Sequence, residues 1–247
     1  LTKLVRLSFL HTVIAEGVVV MRRFIFALPL VLMACTEPQQ QNKVSTAAAE
    51  VMVLNEAFVM PGLNRSRQVR LYLPPLYGTS DKNYPVLYMH DGQMLFDATT
   101  TWNKQEWGVD EKMDSLTQKK AIKEAIVVAV WNIPTIRHLN YFPQKAIDFL
   151  SDSDKKFVID EAKKINLDLT QISSDNYLKF LVSEVKPFID SHFSVYTDKE
   201  NTAIMGSSMG GLISMYALCE YPTIFGKSAC LSTHWIGLKN VENNPIP

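Results

Sequence analysis

The chain lacks an excess of charge of either sign. Its 247 residues include 25 lysines and arginines and 25 aspartates and glutamates, so the formal net charge is zero. Without such an excess, no global field draws the protein to nucleic acid or to an anionic surface, and we expect no nucleic-acid partner. Hydrophobic residues make up 47% of the chain, which is typical of a globular protein. No internal repeat and no heptad array is present.

Metal-binding patterns are also lacking, because no His, Asp or Glu residues recur at the spacing of metal ligands. We therefore expect neither a metal nor a cofactor. Cysteine is scarce, with three residues at positions 35, 219 and 230. Cys219 and Cys230 lie in apolar surroundings, and buried free thiols are favoured over a disulfide there. An exported protein would permit the disulfide.

No apolar run is long enough to span a membrane. The run that comes nearest follows Met21 in "MRRFIFALPLVLMAC", where arginines precede an apolar stretch that ends in Ala34 and Cys35. This layout is typical of a secretory signal, and its end resembles the lipobox of bacterial lipoproteins, which implies lipidation of Cys35. Thr36 after the cysteine favours the outer membrane. The alternatives are a plain secretory signal or a buried strand that ends in Cys.

This interpretation divides the chain into four parts. Residues 1–20 precede the expected start at Met21, and we expect them to be a non-native upstream extension. Residues 21–35 are the predicted lipoprotein signal, and the polar residues 36–50 are the predicted linker. Residues 51–247 form the predicted folded domain. The protein would then lie on the periplasmic side of the cell envelope, attached to a membrane by the lipid.

Strands and helices are predicted to alternate along this domain, which indicates a three-layer α/β fold with a mostly parallel sheet. Residues 132–172 are rich in Lys and Asp, and we expect them to form an irregular insertion above the sheet. The predicted strands are 51–60, 67–77, 84–90, 125–131, 201–206 and 227–232, and the predicted helices are 106–116, 174–192 and 208–221.

Between the last predicted helix and the strand before it, the chain reads Gly206-Ser207-Ser208-Met209-Gly210. This is a G-x-S-x-G pattern in a strand–turn–helix context, which predicts a nucleophile elbow with Ser208 as the nucleophile. The turn is strained, so its neighbours must be small. The alternative is a glycine-rich turn without catalysis.

A second motif, "YPVLYMHDGQMLFD" at 84–97, ends a predicted buried strand in His-Asp-Gly-Gln. In serine hydrolases the oxyanion hole takes one backbone N–H from the residue after the nucleophile and one from a loop after an earlier strand. Met209 would provide the first N–H. Gln93 would provide the second, with Gly92 permitting an unusual backbone angle. We expect His90 to hold this loop by a hydrogen bond.

These two motifs, with "EWGVDE" and "YLKFLVSEVKPFID" between them, resemble an esterase family of α/β-hydrolases. That family includes enterochelin-esterase-like proteins, S-formylglutathione hydrolase, feruloyl and acetylxylan esterases and mycolyltransferases. The similarity extends roughly over 51–235 and implies an α/β-hydrolase fold and a serine carboxylesterase that acts through an acyl-enzyme. It implies Ser208 as nucleophile and Met209 and Gln93 as oxyanion donors.

The resemblance also implies a substrate cleft. "RHLNYFP" at 137–143 resembles the Arg-x-x-x-Tyr-x-Pro loop that lines the family's cleft, which implies Arg137 and Tyr141 as substrate-binding residues. His234 and Trp235 occupy a position that lines the pocket in the family. Aromatic residues are more often core than pocket, but four of them could line a cleft for a phenolic or sugar ester: Trp102, Trp107, Tyr141 and Trp235.

A base for Ser208 is not evident. After Ser208 the chain contains a single histidine, His234, no aspartate, and the glutamates Glu220 and Glu242. In α/β-hydrolases the acid and then the histidine follow the nucleophile, so we expect a C-terminally truncated chain that is inactive as it stands. His234 as base is the weaker interpretation, and His138 and His192 are expected at the surface. The alternatives are a non-catalytic binding lipoprotein and an acyltransferase.

Overall fold

The computed structural model describes residues 44–54, 58–60, 65–164 and 166–235. The predicted upstream extension, the signal and Cys35 lie outside the described residues, as do Glu242 and the rest of 236–247. The end of the predicted linker is described and is held in place. The Ser45 hydroxyl donates to the Asp97 carboxylate at 2.7 Å, and the Ala48 N–H donates to Asp110 at 2.9 Å.

Eight strands and six α-helices carry the described fold. The strands are β1 (Val51–Val53), β2 (Phe58–Met60), β3 (Arg65–Arg67), β4 (Val69–Tyr72), β5 (Val86–His90), β6 (Ile126–Val130), β7 (Thr202–Ser207) and β8 (Lys227–Leu231). The helices are α1 (Val109–Gln118), α2 (Arg137–Tyr141), α3 (Asp152–Lys164), α4 (Ser174–Phe180), α5 (Lys186–His192) and α6 (Met209–Glu220). A π-helical turn, Leu181–Val185, joins α4 to α5.

Six strands form the main sheet in the order β1-β4-β6-β5-β7-β8. The four strands β6, β5, β7 and β8 run parallel, and β4 is antiparallel both to β6 and to the outer strand β1. Strands β2 and β3 form a separate antiparallel pair. Because the parallel strands end at one edge, the loops after β5, β6, β7 and β8 meet there.

Both faces of the sheet are covered by helices around its centre. Strand β6 has a β-branched sequence, and all five of its residues are buried. On one face, Val109 and Met113 of α1 pack against a buried cluster that includes Met89 and Val127. The opposite face packs against α2, α4, α5 and α6 in the larger core cluster. The three-layer α/β fold with a mostly parallel sheet is therefore confirmed.

The prediction that 132–172 form an irregular insertion above the sheet is wrong, because this stretch is part of the core. This stretch contains α2, α3 and several 3₁₀ turns, and it contributes buried side chains to the main core: Leu139, Tyr141, Phe142, Val158, Ala162 and Leu169. Its Lys and Asp residues suggested a solvated loop. The apolar residues between them, spaced as on one helical face, instead attach the stretch to the sheet.

Two other predicted elements are interrupted. The predicted strand 51–60 is split into β1 and β2, which belong to different sheets. The predicted helix 174–192 is helical throughout but contains the π-turn just before Pro187. Proline has no N–H and clashes with the preceding turn, so the regular hydrogen-bond pattern cannot continue through it.

Within the described part of the chain, no helix combines the length and apolar character needed to cross a bilayer. Cys219 and Cys230 are both free thiols, but neither is fully buried as predicted: Cys219 is exposed on α6 and Cys230 is half-buried. Strand β8 is at the edge of the sheet, and its Leu231 side chain is 47% exposed.

Candidate active site

Ser208 lies in a tight turn between β7 and α6. Its backbone dihedrals, φ 59° and ψ −121°, lie in a region that side-chain-bearing residues rarely adopt. The strand–turn–helix context predicted for the G-x-S-x-G motif is thus present. The turn is held on its outer side as well, because the Ser208 N–H donates to the Leu231 carbonyl at 2.9 Å and the His234 N–H donates to the Ser208 carbonyl at 3.2 Å.

Gly206 of the motif and Gly211, the residue after the motif, lie where strand and helix approach each other closely. A Cβ on Gly206 would lie 2.4 Å from the Gly210 carbonyl oxygen, inside the first turn of α6. A Cβ on Gly211 would lie 2.8 Å from the Thr233 hydroxyl. At Gly206 a side chain would therefore push the backbone of the turn apart, whereas at Gly211 the Thr233 side chain would have to move.

Met209 is the first residue of α6, so its N–H has no carbonyl acceptor within the helix. The helix dipole places partial positive charge at this end. An N–H at this position can donate to a negatively charged oxygen that develops beside Ser208.

The loop after β5 begins with a left-handed residue. The unusual backbone angle was predicted for Gly92, and this is wrong: Asp91 has φ 59° and ψ 42°, whereas Gly92 does not have a positive φ. Gly92 is needed for a different reason, because a Cβ there would lie 2.6 Å from the carbonyl carbon of Ala129 in β6. Gln93 follows as the middle residue of a single 3₁₀ turn.

Gln93 is held by two hydrogen bonds. Its backbone carbonyl accepts from the Thr100 hydroxyl at 2.7 Å, and its side-chain oxygen accepts from the Asn132 N–H at 3.1 Å. The peptide and the side chain of Gln93 are thus both anchored. The N–H of an early residue in such a turn has no acceptor within the turn, so it remains able to donate to a ligand.

An ion pair between Asp91 and Arg137 lies behind the loop after β5 and the elbow at Ser208. Arg137 of α2 donates to the Asp91 carboxylate through Nε at 2.8 Å and Nη2 at 2.7 Å, and Asn132 adds a third bond at 2.5 Å. Burial raises the pKa of the Asp91 carboxyl, but the hydrogen bonds and charge of Arg137 outweigh it and lower the pKa overall. Neither Asp91 as an ion-pair partner nor Asn132 was predicted, although an Asp before a Gly is one of the few residues that tolerate the left-handed region.

A cleft of about 500 Å³ opens in front of the loop after β5. Four apolar residues line it, Met94, Trp102, Trp107 and Pro134, together with six polar or charged residues: Asp91, Gln93, Thr100, Thr101, Asn132 and Arg137. Of the predicted substrate-binding residues, Trp107 and Arg137 lie here. Trp102, 85% exposed, stands at the cleft with no close packing to restrain its side chain.

Tyr141 does not lie in the cleft. Its side chain is fully buried and its hydroxyl accepts from the Asp91 N–H at 3.3 Å, so the structure places it in the core. Its predicted role in substrate binding stays a prediction. His234 and Trp235 follow β8 near the elbow, and the Trp235 side chain is 53% exposed. Their role in binding stays a prediction.

His90 is buried under the loop rather than bonded to it. Its Nδ1 is 2.7 Å from the Tyr177 hydroxyl, and burial lowers its pKa to about 3, so it is neutral in the working pH range. The predicted bond from His90 to the loop is therefore wrong; the Tyr141 hydroxyl accepts from the loop instead.

His138 was expected on a surface loop, but it is half-buried in α2 and stacks on Phe142. Burial lowers its pKa to about 4, and the nearby charges of His234 and Arg137 act in the same direction. His192 is exposed at the end of α5, as predicted.

No carboxylate hydrogen-bonds to an imidazole in the described ranges, so a Ser–His–acid set is not assembled from these residues. Likewise, the part of the chain covered by the structure contains no group of three or more His, Cys, Asp or Glu side chains that could hold a metal ion.

Comparison with known proteins places this geometry in a family. The sequence profile of the Putative esterase family matches residues 61–241. A Bacillus subtilis relative, the uncharacterized protein YbbA, is 28% identical over 171 residues, which are 69% of this chain and 58% of that protein. An endo-1,4-beta-xylanase/feruloyl esterase of Xylanibacter ruminicola is 29% identical over 178 residues, which are 68% of this chain and 20% of that protein.

Solved structures share the fold. The enterobactin esterase FES of Shigella flexneri superposes with a TM-score of 0.54 at 18% identity, over 77% of this chain and 40% of that chain. An IroE-like serine hydrolase of Shewanella oneidensis has a TM-score of 0.50 at 22% identity, over 74% of this chain and 50% of that chain. The chain thus spans about three-fifths or less of the length of these relatives. The match over 61–241, together with the elbow at Ser208 and the sheet that positions it, shows that the chain belongs to the Putative esterase family and has the α/β-hydrolase fold.

Proposed function

We propose that the protein is a serine hydrolase of carboxylic esters that acts through an acyl-enzyme on Ser208. The strained Ser208 backbone at the junction of β7 and α6 carries this proposal. Such strain persists in a protein only when the surrounding structure holds it, and it occurs mostly at functional sites. Here Gly206, Gly211 and the bond to Leu231 hold it.

In the proposed first step, Ser208 Oγ attacks the ester carbonyl carbon while a general base takes the hydroxyl proton. The carbonyl oxygen becomes an oxyanion and accepts from the N–H groups of Met209 and Gln93. One such donor contributes about 2.7–4 kcal/mol to stabilisation of the transition state in other serine hydrolases. Collapse of the tetrahedral intermediate expels the alcohol and leaves Ser208 acylated, and water then releases the acid.

The proposed substrate is a small-molecule or glycan ester. Support comes from the cleft beside Gln93, where the rings of Trp102 and Trp107 offer flat apolar surface and Thr100, Thr101 and Asn132 offer polar groups. Two relatives are named for esterase activity, one a feruloyl esterase and one an enterobactin esterase. No cofactor takes part in the proposed chemistry.

Hydrolysis of p-nitrophenyl acetate and butyrate by protein expressed from the complete gene tests the proposal. We expect Ser208→Ala to lower kcat by at least about 1,000-fold, because the nucleophile is removed while the oxyanion donors remain. Ser207→Ala is the matched control, since it removes a hydroxyl one residue away, and it should keep kcat within about threefold. Hydrolysis that survives Ser208→Ala would refute the proposal.

A further inference from the structure

A single guanidinium joins the two segments that carry the oxyanion donors. Arg137 is bound bidentately to Asp91, two residues before Gln93. The same Nη2 atom also lies 3.4 Å from the carbonyl oxygen of Ser207, the residue before Ser208. The loop after β5 and the elbow after β7 are thus bridged through one side chain from α2.

The first turn of α6 lies directly against this ion pair. A Cβ on Gly210 would be 3.3 Å from Asp91 Oδ2 and 4.0 Å from Arg137 Nη2. Movement of the Asp91 carboxylate would therefore be transmitted to the start of α6, where the Met209 N–H is located. A side chain larger than a methyl group at Gly210 would collide with the pair.

Asp91 also determines how the loop leaves β5. Its backbone is left-handed, a conformation that few residues other than Gly, Asn and Asp adopt. Its carboxylate accepts three hydrogen bonds and its N–H donates to Tyr141. These bonds hold a conformation that the isolated loop would not prefer. The Gln93 peptide therefore points where Asp91 and Arg137 direct it.

Both members of the pair stay charged. Burial lowers the pKa of Arg137 and raises that of Asp91, but their mutual hydrogen bonds and attraction overcome burial in each case. A lysine could not replace this contact in full, because its ammonium group is a point charge without the planar fork that bonds both carboxylate oxygens.

We propose that Asp91 and Arg137 form a clamp that sets the separation between the Gln93 and Met209 N–H groups, so that Arg137 is a positioning residue of the oxyanion hole. The proposal rests on the ester hydrolysis assigned to Ser208 above. It differs from the expectation that Arg137 binds substrate: a clamp acts on the transition state of every ester, whereas a substrate-binding guanidinium acts on esters that carry an anion.

The kinetic test compares p-nitrophenyl acetate, which is neutral, with mono-4-nitrophenyl succinate, which is anionic. The variants are Arg137→Ala, Arg137→Lys, Asp91→Asn and the double variant Asp91→Asn/Arg137→Ala. We expect Arg137→Ala to lower kcat about 100-fold for both esters with KM within about threefold, since one oxyanion donor is misplaced.

The kcat of Arg137→Lys should lie between those of wild type and Arg137→Ala. The double variant should be no slower than the slower single variant, because the two residues act as a unit. Arg70→Lys, which alters the separate ion pair with Asp97, is the control and should leave kcat within about threefold.

Hydrogen–deuterium exchange of the same proteins is the second readout. We expect Arg137→Lys and Arg137→Ala to speed exchange in both 91–95 and 206–212 while 126–130 in β6 stays protected. Exchange that rises in only one of the two segments, or an increase in KM confined to the anionic ester, would overturn the clamp. If wild-type protein hydrolyses neither ester, the proposed function fails, and the exchange result decides on the clamp by itself. If Arg137→Ala does not fold, Arg137→Lys decides both readouts.

Discussion

Gly206 shows how a single residue without a side chain permits the elbow. A Cβ there would overlap the backbone of α6, whereas a Cβ on Gly210 would meet its neighbours at 3.3 Å or more. Both exchanges introduce the same methyl group four residues apart in the same motif.

We therefore expect Gly206→Ala to lower the melting temperature by about 5–10 °C, as do other changes that force backbone apart. Gly210→Ala should shift it by less than about 3 °C. Thermal unfolding followed by circular dichroism checks both values. Equal melting temperatures for the two variants would contradict the close approach at Gly206.

Asp110 provides a test of pH dependence. This residue of α1 is fully buried, and one carboxylate oxygen accepts from the Ala48 N–H. Burial raises the pKa of the Asp110 carboxyl to about 7, and the neighbouring Glu111 carboxyl acts in the same direction. Since the folded state holds the proton more tightly than the unfolded state, its stabilising contribution is present at low pH and is lost as pH rises from about 4 to about 7.

The exchange Asp110→Asn removes the ionisation and keeps an oxygen that can accept from Ala48. We expect it to raise the free energy of unfolding relative to wild type more at pH 8 than at pH 5, as measured by urea titration. Asp160→Asn, at an exposed position on α3, is the control. A difference that is larger at pH 5 would contradict the assignment.

The residues of helix α2 are divided between the core and the cleft. Arg137 at its start reaches the cleft and the ion pair, while Leu139 and Tyr141 face the core. The motif that contains them is visible in the sequence, but the face on which each side chain lies depends on the direction in which this short helix packs. That direction is decided by contacts with α4 and α6, which the local sequence does not encode.

Tyr141→Phe tests the assignment of Tyr141 to the core. The variant keeps the ring and loses the hydroxyl that accepts from Asp91, so we expect a loss of about 0.5–1.5 kcal/mol of unfolding free energy. KM for p-nitrophenyl butyrate should stay within about twofold, because the ring does not face the cleft. A several-fold rise in KM at unchanged stability would instead support the substrate-binding role that the sequence suggested.

The local sequence pattern predicted the strands and the helix next to the site well. It did not predict where the helix 174–192 and the strand 51–60 are interrupted. Strands β5, β6, β7 and β8 and helix α6 carry continuous apolar or alternating patterns, and each lies within about two residues of its predicted position. The π-turn before Pro187 and the division of 51–60 into two strands depend on tertiary packing.

At the scale of the whole molecule, the site combines segments that are distant in the chain. Sequence motifs with known structural roles predicted Ser208 as the nucleophile and Met209 and Gln93 as oxyanion donors. The partners that hold Gln93, namely Asn132 and Thr100, come from loops whose sequence has no such motif. Asn132 reaches Gln93 because the ends of β5 and β6 meet at one edge of the sheet, and Thr100 reaches it because the loop after β5 folds back on itself.

Attachment to a membrane is a separate proposal about the whole molecule, and it rests on the sequence around Cys35. We expect Cys35→Ser to abolish labelling by radioactive palmitate and to shift the protein from the membrane pellet to the soluble fraction. Cys219→Ser, which removes an exposed thiol on α6, is the matched control and should leave both unchanged. Palmitate labelling that persists in Cys35→Ser would exclude this anchor.

The most direct test of the nucleophile is covalent trapping by a fluorophosphonate probe, followed by mass spectrometry of the digested protein. The activated serine Oγ attacks the phosphorus atom of the probe, the P–F bond breaks, and fluoride leaves while the general base takes the hydroxyl proton. The product is a stable phosphonate ester of the serine. In protein expressed from the complete gene, we expect one probe per molecule on the peptide that contains Ser208, no adduct in Ser208→Ala, and an unchanged adduct in Ser207→Ala. An adduct on any other residue, or no adduct in folded wild-type protein, would contradict the assignment of Ser208 as the nucleophile.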